Sequence, residues 1–201
     1  MQSKILSRRD IEFLLYEWLD AEALNQRPRF REHSRETFDA ALDTAEQIAT
    51  DMFAPHNKKN DQHEPHAVPG ERCLEVRVNP EVKAALAACA EAGLFAAGQD
   101  FERGGMQLPS VVEQCLSAYL TAANFGTAAY VFLTMGNSNT LLKCGSPEQI
   151  ERYVTPMLAG RFFGTMCLSE PQAGSSLSDI TTRAEPDPEH SGQFRLNGNK
   201  M

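Results

Sequence analysis

The segment Met166-Cys167-Leu168-Ser169-Glu170-Pro171-Gln172-Ala173-Gly174-Ser175-Ser176 concentrates the residue types best suited to gripping an anion. An apolar run leads into serine, proline, alanine and glycine. Small and hydroxyl residues let a backbone turn sharply and aim N–H and O–H groups at one charged ligand. Glu170 adds a carboxylate, which can serve as a general base or fix the turn through local hydrogen bonds. Other nucleotide and nucleophile patterns are missing: the chain has no G-x-G-x-x-G, no G-x-x-x-x-G-K-[ST] and no G-x-S-x-G. His56, His63 and His66 stand near acids, but their spacing fits neither a zinc finger nor H-E-x-x-H. The expectation there is a solvated loop without a metal.

The rest of the chain must position that segment. Its 201 residues suit one domain, or one domain and part of another. A hydrophobic content of 42% supports a sizeable core. The net charge of −8, with basic residues scattered among acids, argues against nucleic acid or an anionic membrane as partner. Five cysteines, an odd number without a C-x-x-C, read as reduced thiols and a cytoplasmic location. Met1-Gln2-Ser3-Lys4 precedes no unbroken apolar run, and no stretch of about 18 apolar residues exists to span a membrane.

Helical periodicity dominates up to Gly160. Ile11, Leu14, Leu15, Trp18 and Leu19 predict a first helix closed by Pro28. Ser34 caps a second, with Phe38, Ala41, Leu42, Ala45, Ile48 and Met52 on one face and Pro55 at its end. Residues 56–78 read as a long polar loop. Asn79-Pro80 starts a third helix that Gly93 stops. A fourth runs from about Ser110 to Asn124, and a fifth from Thr127 to Lys143, interrupted at Gly136. Ser146-Pro147-Glu148-Gln149 is a capping box with proline at the first helical position, and Pro156 should kink or end that helix. After Gly160 the pattern changes. Phe162–Leu168, Ile180–Ala184 and Gln193–Leu196 read as strands, with a turn across 186–192 and an Asn197-Gly198 turn that calls for a further strand. The expected fold is mainly α, with strands only after Gly160.

Several of these features, in this order, resemble the acyl-CoA dehydrogenase family. Glu91-Ala92-Gly93-Leu94 with Gly104-Gly105-Met106, then Cys144-Gly145-Ser146-Pro147-Glu148-Gln149-Ile150, then Leu158-Ala159-Gly160, fall before the loop. Ser169-Glu170-Pro171-Gln172-Ala173-Gly174-Ser175-Ser176 is similar to the family's T-E-P-x-A-G-S-D, and Asn197-Gly198-Asn199-Lys200 to its N-G-x-K. The first helix resembles the short extension of one branch, that of enzymes like 3-methylmercaptopropionyl-CoA dehydrogenase.

The resemblance implies an N-terminal helical-bundle domain followed by the first strands of a truncated β-barrel domain. The implied divisions are 1–30 for the extension helix, 31–161 for the helical domain and 162–201 for the start of the β-domain. It implies FAD as cofactor and an acyl-CoA thioester as substrate, oxidised to a 2-enoyl-CoA in fatty-acid metabolism. An acceptor like electron-transfer flavoprotein and a homo-oligomer when full length are implied as partners. Met166, Leu168 and Ser169 would meet the flavin ring. Gly174 and Ser175 would meet its pyrophosphate, with Ser175 also touching the acyl-CoA. Ser169 keeps the hydroxyl of the usual threonine, whereas Ser176 loses the charge of the usual aspartate. The proton-abstracting glutamate belongs to the family's C-terminal domain, so Glu170 is expected to be structural, no catalytic residue is assigned within the chain, and the chain alone is expected to be inert. The alternative is a non-catalytic helical interaction module derived from the same family.

Overall fold

The computed structural model describes residues 5–201 and divides the chain into two compact units, Met1–Gly164 and Thr165–Met201. The Met1–Lys4 stretch, read above for a targeting signal, lies outside the described residues. None of the described helices is long and apolar enough to cross a membrane.

The first unit is built on four packed helices. Helix α1 (Arg8–Glu12) opens with the Ser7 side chain accepting from the Asp10 N–H, then runs on as a wide π turn, Phe13–Trp18. That turn overturns part of the expected apolar face. Ile11 and Leu15 are buried, but Trp18 is 69% exposed and Leu14 and Leu19 also face solvent. In the π turn the Leu19 N–H reaches back five residues to the Leu14 carbonyl, and the extra residue rotates the following side chains away from the core. Nor does Pro28 close this helix. The π turn ends at Trp18, Asp20 takes a left-handed backbone (φ 47°), and Pro28 instead starts a short 3₁₀ turn, Pro28–Phe30.

Helix α2 (Arg35–Ile48) begins at Ser34, where Ser34 and Thr37 form a reciprocal capping box. It continues through a π segment, Ala49–Phe53, and a 3₁₀ turn, Ala54–His56, into α3 (Asn57–Gln62). Phe38, Leu42, Ala45, Ala49 and Phe53 form its buried face. Two strands then correct the expected 56–78 loop and the expectation that strands occur only after Gly160. Strand β1 (His66–Pro69) pairs antiparallel with β2 (Leu74–Arg77), and the Gly70 N–H to Cys73 carbonyl bond closes the turn. His56 is no solvated loop residue either. It is 2% exposed, and its Nε2 lies 2.8 Å from Thr127 Oγ1.

Helix α4 (Pro80–Glu91) stops where Gly93 turns left-handed at φ 70°. Helix α5 (Ser110–Ala123) and the 20-residue α6 (Phe125–Cys144) meet at Asn124, whose side chain caps α6 through the Thr127 N–H. Gly136 does not interrupt α6. Core contacts join α2 to α5, α5 to α6 and α4 to α6. The final helix starts as expected at the Ser146–Gln149 capping box, in α7 (Pro147–Gln149). A π segment, Ile150–Val154, leads into α8 (Thr155–Leu158), and that wider turn accommodates Pro156, which has no N–H for an i−4 bond. The end is a Schellman motif: Gly160 (φ 66°) donates to Met157 and Arg161 donates to Pro156.

The second unit is small. Strand β3 (Arg183–Pro186) pairs antiparallel with β4 (Phe194–Asn197) in the register Arg183 to Asn197. Residues 162–168 do not form the expected strand. Strand pairing needs a neighbour along its length, and among the described residues this stretch makes isolated bonds, such as the Gly164 N–H to Thr134 Oγ1 and Lys200 Nζ to the Leu168 carbonyl, without a ladder.

Candidate functional site

The loop after Leu168 is shaped by a tight turn. The Glu170 N–H donates to the Ala173 carbonyl at 2.8 Å, and the Ala173 N–H donates back to the Glu170 carbonyl at 3.0 Å. Pro171 follows Glu170 at the position where a ring-locked φ favours such a turn. The Ser175 carbonyl then accepts from Leu177, and a 3₁₀ turn, Leu177–Asp179, carries the chain toward Thr181.

Glu170 itself is 3% exposed, and its carboxylate organises the whole unit. Oε2 accepts from the Thr181 N–H at 2.8 Å, the Thr181 hydroxyl at 2.9 Å and Gln172 Nε2 at 2.7 Å. Oε1 accepts from the Thr182 hydroxyl at 2.5 Å, the Thr182 N–H at 3.0 Å and Lys200 Nζ at 2.9 Å. Those donors, the Thr182 hydroxyl foremost and then the Thr181 N–H and Lys200, hold the Glu170 carboxyl well below the usual carboxylate range. A carboxylate so engaged is a poor proton acceptor.

Thr181 and Thr182 were not singled out in the sequence, and Lys200 entered only as the end of the N-G-x-K match, because nothing local marks these side chains as partners of a glutamate 11 to 30 residues away. Gly198 was read as half of a turn signal. It does not adopt positive φ, and a Cβ there would collide with the Thr182 side chain. The glycine therefore permits the close approach that brings Lys200 to Glu170.

The residues marked for a cofactor lie on the outside of this frame. Met166 is 67% exposed and Leu168 38%. Ser169, Gly174, Ser175 and Ser176 are all exposed. Gly174 has an ordinary φ and nothing within 4 Å of where a Cβ would stand. Neither backbone strain nor packing within the unit requires glycine there, and the open side suits a ligand that approaches the backbone closely. The hydroxyls of Ser169 and Ser175 and the bare backbone at Gly174 can thus be offered to a polar anion. In that respect the residues fit the nucleotide part of a flavin. Elsewhere in the unit Asp187, Glu189 and His190 present possible ligand atoms within 4.8 Å of one another, the one such grouping among the described residues. Arg195 already engages both acids.

A helical unit built on these caps is the N-terminal domain of a dehydrogenase fold. Residues 35–161 match the acyl-CoA dehydrogenase N-terminal domain, and the chain belongs to that family. It is 29% identical over 201 residues to a butyryl-CoA dehydrogenase of Syntrophomonas wolfei, covering 99% of this chain and 32% of that protein. It is 31% identical over 198 residues to 3-methylmercaptopropionyl-CoA dehydrogenase of Ruegeria pomeroyi, covering 96% and 32%. Its fold is similar to the FAD-complexed acyl-CoA dehydrogenase of Bacillus anthracis, with a TM-score of 0.68 and 23% identity over 84% of this chain and 27% of that one. The chain spans about a third of the length of the curated relatives it matches.

Proposed function

We propose that this chain supplies the helical domain and the first cofactor-facing loop of an FAD-dependent acyl-CoA dehydrogenase. The observation that carries the reading is the Glu170 frame. It fixes the loop from within while the hydroxyls of Ser169 and Ser175 and the backbone at Gly174 stay free for a ligand. On this reading residues 1–30 form an extension, 31–161 the helical domain and 162–201 the opening of the β-domain. Met166, Leu168 and Ser169 face the isoalloxazine, and Gly174 and Ser175 face the pyrophosphate, with Ser175 also reaching the acyl-CoA.

When bound, FAD supplies the hydride acceptor for α,β-dehydrogenation. The chain's own residues bind and orient. Ser175 and the adjoining N–H groups would hold the phosphate oxygens, and charge-assisted bonds of that kind are stronger than neutral ones. Glu170 holds its loop and removes no proton, so we assign no catalytic residue to these segments. An acyl-CoA substrate, an acceptor like electron-transfer flavoprotein, a homo-oligomeric full-length protein and a cytoplasmic location complete the proposal.

The test is titration of FAD into the chain by quenching of flavin fluorescence, with Ser175→Ala beside it. Saturable binding weakened by about 1–2 kcal/mol in the variant, the scale of a hydrogen bond to a charged group, is the expected result. Equal binding by both forms removes Ser175 from the site, and no binding by either sinks the loop's assignment in this chain.

A further inference from the structure

A second site lies within the helical unit, away from the glycine-serine loop in sequence. A cleft of about 390 Å³ opens between α4, α6 and the turn after α8. Its apolar lining is Val78, Val82, Leu86, Tyr130 and Phe163, with Gly160 beside them. The walls are firmly set. Phe163 packs edge-on against Tyr130 at 5.8 Å and tilts against Phe95 at 6.0 Å. A Cβ on Gly160 would strike Ala90, and Gly160 also needs its positive φ for the helix stop. The volume falls within the range of about 300–1,000 Å³ typical of small-molecule pockets.

Two cations, Lys83 and Arg161, also line the cleft, and both are exposed. Among the described residues neither has a carboxylate within ion-pair distance, although the chain carries an excess of acids. Arg8, by contrast, meets Asp39 and Asp43, and Lys59 meets Glu81. An apolar cleft bordered by two unpaired cations is complementary to one kind of guest: an anionic head on a hydrocarbon body. Apolar burial supplies most of the attraction, and the cations supply the choice of charge.

We propose that this cleft binds a small anionic amphiphile, a medium-chain carboxylate, with the tail between Leu86 and Tyr130 and the head at Lys83 and Arg161. The proposal is independent of the flavin assignment, because it invokes no residue after Phe163.

The test is calorimetric titration of the 201-residue chain with decanoate and with decyltrimethylammonium, both below the concentrations at which they form micelles. Decanoate should bind saturably and at least tenfold more tightly than the cation. Replacing both cations, as Lys83→Glu with Arg161→Glu, should reverse that order. Ala87→Trp, at an exposed position on the lining that spares the core, should abolish binding of both amphiphiles while leaving the helical circular dichroism unchanged. Equal affinity for the two head groups overturns the proposal. So does binding that survives Ala87→Trp, and so does a lack of saturable binding by either probe.

Discussion

In the helical unit Phe38, Leu42, Val112 and Tyr119 are fully buried and belong to one continuous apolar cluster. In the unit that follows, every residue of β3 and β4 is exposed, and the buried residues are Glu170 and Ala173. One unit is held by area removed from water, the other by donors converging on a single carboxylate. The difference separates two tasks. Apolar burial is non-directional and builds a stable body. Hydrogen bonds to a fixed carboxylate are directional and set the shape of a loop, at the risk that losing the hub leaves buried donors unpaired.

Breaking the first side of that comparison should have the largest effect. Phe38→Ala leaves a cavity where a wholly buried ring stood, at a cost of about 3–5 kcal/mol. That is a large share of the roughly 5–15 kcal/mol that holds a domain together. The urea midpoint of the helical signal should fall accordingly, and a loss below about 1 kcal/mol would show that the apolar cluster is not the unit's support.

The second side breaks locally. Glu170→Gln keeps the shape but replaces one acceptor oxygen by an N–H₂ that faces donors. Amides of residues 173–182 should lose hydrogen-exchange protection while those of α2 and α5 keep theirs. Uniform loss throughout the chain would mean that Glu170 supports more than its loop. The pH dependence follows from the sign of the shift. The folded carboxyl is depressed, so its contribution is complete above the unfolded value of about 4.3 and fades as pH falls below it toward the folded value. The difference between wild type and Glu170→Gln should therefore be flat above about pH 5 and shrink in stronger acid.

A smaller effect sharpens the contrast from the helical side. Ser146→Ala removes the capping hydroxyl that accepts from the Gln149 N–H, a change worth about 1 kcal/mol. It should show as fraying of α7 in exchange, with the rest of the helical unit nearly unchanged. Collapse of the whole unit would place more weight on that cap than its geometry suggests.

Helices were legible because their signals lie within a few residues of one another. Ser34, Pro80, Gly93 and the Ser146–Gln149 box each mark an end by local chemistry, and the structure uses all four. The misreadings arose where one local rule met another. Leu74, Val76 and Val78 alternate as a strand should, but the glycine, prolines and histidines around them read as a loop, and it is pairing with His66–Pro69 that makes the hairpin. Trp18 stood on the apolar face of a 3.6-residue helix until a π turn displaced it. Residues 162–168 had the apolar content of a strand but no neighbour to pair with along their length.

The sequence by itself determined the family, the helix caps and the candidate loop, because each is written in short-range order and spacing. Only the tertiary structure decided that Glu170 is a hub for Thr181, Thr182 and Lys200, that His56 is sealed against Thr127, and that Gly198 serves close contact rather than a turn. The physical reason is the same in each case. A hydrogen-bond partner or a steric limit contributed from 11 to 71 residues away leaves no periodicity in the chain, and it exists only once folding has brought the two segments within about 3 Å.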